Sequence, residues 1–360
     1  MSKWCAARRA ALSVALVWCL ATAPAASQPM SFQDGDVVVR AADNLQLYRD
    51  HEKVATWGQS WTVGADDRGN VWAGWVDGNS LVLRQYSSTT EYTEHHSQMA
   101  GDDLALHKIL YRRGTLYLVY SRPHEEDAVG PWEEDTRPSG RVSGRWVHLL
   151  PFSVQSASFA GPIPLKDQFG RAEIIVKSRK LTDGKPIPKG VRDGVLELIL
   201  FDATIMPAGE LWLSTQGKLT SYRIGGLPTG LLELLDPMKI EGFGQRARKI
   251  DWWVSRHGNG TGVTALSDTE LVVVNGNPPG WLTLVNTDNP EASSPLCRDV
   301  FGDDPAEWGL RPVLVAGNEI LVGHSHVKVA RGYRVSRSTG EVLGIFGAGV
   351  SIRGLARISK

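Results

Sequence analysis

The sequence predicts an all-β protein and, within that class, a β-propeller closed by strands from the two ends of the chain. Three observations carry this expectation. The 360 residues include 38 Gly, 19 Pro and 13 Trp, a composition suited to many short strands joined by turns. Helical periodicity is almost absent, the best candidate being Leu227 to Leu235, where a turn or two of helix is expected after Thr229. Finally, a unit of strand, turn, strand, turn, strand recurs along the chain.

The clearest copy begins at Trp61. Residues 61–65 alternate as a strand, Asp66 to Asn70 turn, Val71 to Val76 form a second strand, Asp77 to Ser80 turn, and Leu81 to Tyr86 form a third. The second copy holds Leu106 to Tyr111, a turn at Gly114, Thr115 to Ser121 and, after an insertion, Arg145 to Phe152. The third places Glu210 to Thr215 and Lys218 to Ile224 after Gly209, the fourth Glu270 to Asn275 and Trp281 to Asn286 after Asp268, and the fifth Glu319 to His324 and Gly332 to Ser336 after Gly317. The turn centres Gly69, Gly114, Gly209, Asp268 and Gly317 are 45, 95, 59 and 49 residues apart, so one interval is double the rest. Units of this length match propeller blades, whose radial closure avoids long exposed sheet edges.

Poorer outer strands follow several copies, at Glu91 to His96, Ser156 to Gly161 and Glu341 to Phe346. The segments Gly35 to Arg49 and Val350 to Ser359 remain unassigned at opposite ends and read as a shared closing blade. Five copies and that blade make six. A degenerate blade between Arg171 and Asp202 would make seven, and a tandem β-sandwich is the alternative architecture.

Residues 1–27 read as a signal peptide. Lys3, Arg8 and Arg9 precede an apolar run from Ala10 to Ala21 that is too short to span a bilayer, and small residues from Ala21 to Ser27 place cleavage near Ala25 to Ser27. The expected mature product, 28–360, is a single propeller domain that is secreted or periplasmic, with no later segment apolar enough to span a membrane. Of the three cysteines, Cys5 and Cys19 leave with the signal, so Cys297 has no intramolecular disulfide partner and zinc sites of several cysteines are excluded. Basic and acidic residues balance at 39 each, which provides no global field for nucleic acid or anionic membranes.

The stretch Asp67-Arg68-Gly69-Asn70-Val71-Trp72 resembles the D-x-G-x-x-W core of the Asp-box, the bacterial neuraminidase repeat of sialidase-like propellers. Ala65 and Val71 stand where the full box has serine and threonine, and in that family the box is a structural hairpin remote from the catalytic face. The resemblance therefore implies a fold and no site. A sialidase would also need three arginines on a carboxylate, a tyrosine nucleophile with a glutamate partner, and an aspartate acid/base. Neither Arg40 nor Arg49, the early arginines of the mature chain, precedes a proline as such enzymes require.

Candidate site residues lie where the repeat is interrupted. Asp251, Trp252, Arg256 and His257 bring a carboxylate, an aromatic face, a cation and an imidazole beside a glycine-rich turn, the combination that stacks and hydrogen-bonds a sugar ring. His324 and His326 would share one face of an extended strand, suited to proton transfer or a transition metal, although no third ligand lies nearby in sequence and no metal is assigned. The insertion 123–144 carries Trp132 among six carboxylates without the spacing of a calcium loop, so no cofactor is expected and calcium is unsupported. A second, basic insertion occupies 182–193. The functional expectation is a propeller that binds a glycan or protein partner without committed catalysis. The alternative is a glycoside hydrolase or polysaccharide lyase acting at the channel mouth, which would need two carboxylates, or a histidine cluster, in one cleft.

Overall fold

The computed structural model describes residues 29–42, 44–99, 103–127, 141–165, 174–175, 200–215, 218–224, 232–233, 262–274, 282–289, 294–301, 312–326 and 329–360. The predicted signal peptide (1–27) and the insertion 182–193 lie outside them. The described residues form only strands, turns and loops. Sheet 1 contains β1 (Val37–Arg40), β2 (Leu45–Arg49) and β3 (Glu52–Trp57). Sheet 2 contains β4 (Thr62–Ala65), β5 (Val71–Asp77), β6 (Ser80–Tyr86) and β7 (Tyr92–Gln98). Sheet 3 contains β8 (Ala105–Arg112), β9 (Thr115–Asp127) and β10 (Arg141–Ser153), with β11 (Ser158–Phe159), β12 (Ile163–Pro164) and β13 (Ile174–Ile175) along its outer side. Sheet 4 contains β14 (Leu200–Ile205), β15 (Glu210–Thr215), β16 (Lys218–Ile224) and β17 (Leu232–Glu233). Sheet 5 contains β18 (Gly262–Ala265), β19 (Glu270–Val274), β20 (Leu282–Asn286) and β21 (Ser294–Cys297). Sheet 6 contains β22 (Val313–Ala316), β23 (Glu319–Gly323), β24 (Gly332–Ser336) and β25 (Val342–Phe346), and the last strand, β26 (Gly354–Arg357), returns to pair with β1.

All described pairings are antiparallel meanders, and the sheets stand in a ring. Strand β26 touches β4, β4 touches β8, β8 touches β14, β14 touches β18, β18 touches β22, and β22 returns to β26. This closed ring of first strands is a β-propeller and excludes two packed sandwiches. Direct contact between β8 and β14 leaves no sheet between them among the described residues, and Ile174–Ile175 joins sheet 3 rather than a blade of its own. The helix expected at Leu227 to Leu235 is also corrected, because Leu232 and Glu233 pair with Ile224 and Arg223 as the outer strand of sheet 4. Part of the insertion 123–144 continues the meander, with Asp127 opposite Arg141 and Pro123 opposite Arg145.

The core lies between the sheets. Trp72, Leu81 and Leu83 of sheet 2 meet Leu106, Ile109 and Phe152 of sheet 3, while Val38, Leu45 and Leu47 of sheet 1 meet Val63, Val71 and Ala73 of sheet 2. A strand in such a stack is covered on both faces, so its apolar residues run consecutively, as in Val37-Val38-Val39 and Val71-Trp72-Ala73, all buried. Close approach also requires Gly64, where a Cβ would stand 2.8 Å from the Ile109 side chain and 3.2 Å from its carbonyl oxygen.

The turn between β4 and β5 is organised by Asp66. Because β4 ends at Ala65, the next side chain points into the sheet stack, and Asp66 is 3 % exposed whereas Asp67 sits on the exposed tip. Asp66 Oδ1 accepts from the Arg68 and Asn70 amides, each at 2.9 Å, and Oδ2 accepts from Asn70 Nδ2 and Trp72 Nε1, also at 2.9 Å. Asp66, one residue earlier than the Asp-box reading places it, is thus the anchor. Gly69 closes the turn at φ +79°, in the left-handed region. The tryptophan recurs in sheet 4, where Met206, Gly209, Glu210 and Trp212 occupy the places of Asp66, Gly69, Asn70 and Trp72. There the indole Nε1 of Trp212 lies 3.1 Å from Met206 Sδ, and the Gly209 amide donates to the Met206 carbonyl at 2.9 Å, as the Gly69 amide does to Asp66.

Where sheet 6 meets sheet 1, Arg334 holds Glu319 through Nε to Oε2 at 3.0 Å and Nη2 to Oε1 at 2.6 Å, and His51 Nε2 approaches the same carboxylate at 3.5 Å. The Arg334 hydrogen bonds and charge hold the Glu319 carboxyl below the usual carboxylate range. A depressed carboxyl contributes stability above its unfolded pKa and loses it as pH falls towards the folded value. Glu319→Gln should therefore lower the urea midpoint at neutral pH, with the difference from wild type shrinking as acid titrates the wild-type carboxylate. An equal difference at acidic and neutral pH would refute this. Asp66→Ala should destabilise by about 3 kcal/mol in urea denaturation by orphaning buried donors, whereas Asp67→Ala should cost less than about 1 kcal/mol.

Candidate ligand site at the channel mouth

The N-terminal ends of the first strands meet around a cavity of about 310 Å³. Trp61, Thr62 and Val63 contribute from the start of β4, Leu106, His107 and Lys108 from β8, Asp202 and Ala203 from β14, Pro312 from just before β22, and Arg353 and Gly354 from the start of β26, with Arg40 at the end of β1. Trp61 is 48 % exposed, a large aromatic ring left in solvent at the cavity wall. Five of the six sheets thus supply this one site, as expected where a ring of sheets surrounds a channel.

Its polar groups are held by bonds within and between the sheets. Lys108 Nζ donates to Asp202 Oδ1 at 2.7 Å, which also accepts from the Ala203 amide at 2.9 Å, and Oδ2 accepts from the Val263 amide at 3.2 Å. Asp202 therefore ties sheets 3, 4 and 5 together. At the seam of sheet 1, Arg40 Nε donates to the Ser60 carbonyl at 3.1 Å, and its own carbonyl accepts from the Arg353 amide at 2.8 Å. His107 Nε2 lies 2.8 Å from Ser121 Oγ, which accepts from Arg145 Nε at 2.8 Å. Arg145, 2 % exposed, is fixed in turn by Asp103 Oδ2 at 2.7 Å and by the Ser121 carbonyl at 2.9 Å. A buried guanidinium saturated in this way sets the position of the serine hydroxyl and, through it, of the imidazole.

Asp202 is the single carboxylate among the described residues lining the cavity. The arrangement presents donors, cations and one aromatic face, which is the chemistry of holding a ligand. The acid/base pair that a glycosidase needs, roughly 5–9 Å apart, is not assembled from these lining residues.

Of the residues singled out from the sequence, Trp132, Asp251, Trp252, Arg256 and His257 lie outside the described residues. His324 and His326 are described, and the strand geometry expected for them is corrected. Strand β23 ends at Gly323, and His324 to His326 lead into a turn in which the His326 carbonyl accepts from the Val329 and Ala330 amides at 3.1 and 2.9 Å. The His324 ring is 1 % exposed and edge-on to Phe301 with centroids 5.7 Å apart, and its Nδ1 accepts from the His326 amide at 3.1 Å. The two histidines therefore follow the strand rather than lying on it. The described residues contain no group of three or more His, Cys, Asp or Glu that could hold a metal. The cavity residues Arg40, Trp61, His107, Lys108, Asp202 and Arg353 escaped the sequence reading because no local motif joins them. Their common signal is positional: apart from Arg40, each stands at or beside the start of the first strand of a repeat.

No family model and no curated protein matches the chain. Solved structures show likeness of fold at low identity. A lectin from Aleuria aurantia, determined with Fucα1-6GlcNAc, aligns at a TM-score of 0.50 and 10 % identity over 89 % of this chain and 98 % of its own. A protein of unknown function from Bacteroides caccae aligns at a TM-score of 0.48 and 9 % identity over 90 % and 99 %. TolB from Acinetobacter baumannii aligns at 0.45 and 10 % over 97 % and 71 %. The lectin is a β-propeller, in agreement with the ring described above.

Asp202→Ala removes three hydrogen bonds and leaves the Lys108 ammonium without that carboxylate at the channel wall. It should destabilise by about 3 kcal/mol in urea denaturation, and Lys108→Met combined with Asp202→Leu should recover part of that loss. Additive single-variant costs in this double-mutant cycle would show that the pair is not coupled.

Proposed function

We propose that the chain is an exported, six-bladed β-propeller that binds a glycan at the channel mouth, with each of the six sheets taken as one blade. The observation that carries this reading is the cavity of about 310 Å³ with the exposed ring of Trp61 beside the donors of Arg40, His107, Lys108 and Arg353. Its size lies at the lower end of the roughly 300–1,000 Å³ range of small-molecule sites, which suits one or two sugar rings better than a protein surface, whose recognition needs about 800 Å² per partner. An indole face accepts the C–H face of a sugar while fixed polar groups take its hydroxyls. The export half of the proposal rests on the basic and apolar segment ahead of Ser27.

The test is a glycan array probed with the wild-type protein and with Trp61→Ala. The reading expects a defined set of bound glycans and a loss of about tenfold or more in affinity for them in the variant, at an unchanged melting temperature. A blank array, or binding that Trp61→Ala leaves intact, would remove the channel mouth as the glycan site.

A further inference from the structure

We infer that Ser121 is a positioning residue of the channel-mouth site: by donating its hydroxyl hydrogen to His107 Nε2, it holds that imidazole in the tautomer whose own hydrogen sits on Nδ1. A ligand group that hydrogen-bonds the ring then meets a donor, so the ligand atom taken there is an acceptor, such as a hydroxyl, ring or carbonyl oxygen. The inference rests on the reading above that this cavity is the ligand site, and it adds the proton form that His107 presents to it.

A break in the sheet register brings the ring to the cavity. Regular pairing of β8 with β9 would send His107 and Lys108 to opposite faces. Instead Leu106 stands opposite Tyr120 and Lys108 opposite Val119, so His107 is the extra residue of a β-bulge and lines the cavity beside Lys108. Bulges re-aim side chains in this way. The imidazole reaches back to β9, where its Nε2 lies 2.8 Å from Ser121 Oγ.

The direction of that bond follows from the other partner of the hydroxyl. Arg145 Nε stands 2.8 Å from the same oxygen, and a guanidinium has donors and no acceptor, so the oxygen accepts there. Arg145 is fixed in this pose by Asp103 Oδ2 at 2.7 Å on Nη1 and by the carbonyls of Ser121 and Asp103 on Nη2. Ser121 is fully buried, and a buried hydroxyl hydrogen needs an acceptor of its own. His107 Nε2 supplies one, provided that it carries no hydrogen. The opposite tautomer, or a doubly protonated ring, would aim a second donor at the oxygen and leave the Ser121 hydrogen unbonded.

The experiment is a ¹H–¹⁵N correlation spectrum of the side-chain nitrogens of the full-length chain's protein product, labelled in its histidines, with His107→Asn removing and so assigning the His107 signals. At about pH 8 an ordinary imidazole is neutral, so the spectrum reads the tautomer alone. Wild type should show hydrogen on Nδ1 and a bare Nε2. Ser121→Ala should move the population towards hydrogen on Nε2, and Ser121→Thr, which keeps the hydroxyl, should return it. Hydrogen on Nε2 in the wild type, on both nitrogens, or averaged between them overturns the inference, and that result needs neither Ser121 variant to fold. A tautomer that Ser121→Ala leaves in place overturns it as well. On the glycan array, glycans bound by the wild type should lose about fivefold in affinity with Ser121→Ala, the worth of roughly one hydrogen bond. Unchanged affinity in a variant whose tautomer has shifted overturns the role of Ser121 in the site. A blank array removes the glycan reading, while the wild-type spectrum still decides the tautomer.

Discussion

The antiparallel pairing of β26 with β1 is the constraint on which the rest of the molecule depends. Four residue pairs, from Val37 with Arg357 to Arg40 with Gly354, join the two ends of the domain in one sheet. Further bonds reinforce the seam: the Gly35 amide donates to the Ile358 carbonyl at 3.0 Å, the Ile358 amide to the Asp36 carbonyl at 2.9 Å, and Lys360 Nζ to the Phe32 carbonyl at 2.7 Å. Asp36 also receives a two-pronged bond from Arg49, at 2.8 Å on each oxygen. Closing so long a loop costs more chain entropy than any local turn, although the cost grows only logarithmically with length. Side-by-side hydrogen bonds and the packing of Val37 and Val39 against Leu321 and Ile352 across the junction offset it.

Closure matters because no single sheet has a core of its own. The buried apolar residues fall into six clusters among the described residues, one at each junction between neighbouring sheets around the ring. Leaving the ring open would expose the two faces of one junction and the unpaired edge of β1. The same arrangement explains the tight turns and small residues along the inner strands. Gly64 and Gly74 of sheet 2 admit Ile109 and Leu106 of sheet 3 where any Cβ would collide. The carboxylate of Asp66 gathers four donors at one corner, the buried Trp72 indole N–H among them.

The candidate site is a product of this closure. Arg40 and Arg353 come from opposite ends of the chain and meet only because β1 and β26 pair, and Lys108 meets Asp202 only because sheets 3 and 4 stand side by side. Lys108, Asp202, Arg40 and His107 are each bonded to a neighbouring strand, loop or sheet, and a preformed site of that kind loses less entropy when a ligand enters.

The amino-acid order alone was enough for the repeating unit, the glycine turns and the pairing of the terminal segments, since all three are written as local alternation, turn chemistry and leftover strands. Trp72, which ends the Asp-box-like stretch, is fully buried against Phe152 with ring centroids 5.5 Å apart. The limits of the amino-acid order were just as physical. Asp66 and Asp67 are chemically identical in sequence, and only the end of β4 decides which carboxylate turns inward. Trp212 repeats Trp72 with methionine in place of the aspartate, so a search for the acidic residue passes over it. The clustering of Arg40, Trp61, His107, Lys108, Asp202 and Arg353 follows from ring geometry, which places residues hundreds of positions apart at one mouth. Local pattern specifies strands and turns because their forces act over a few residues, whereas a binding surface made of strand beginnings exists only once the ring has closed.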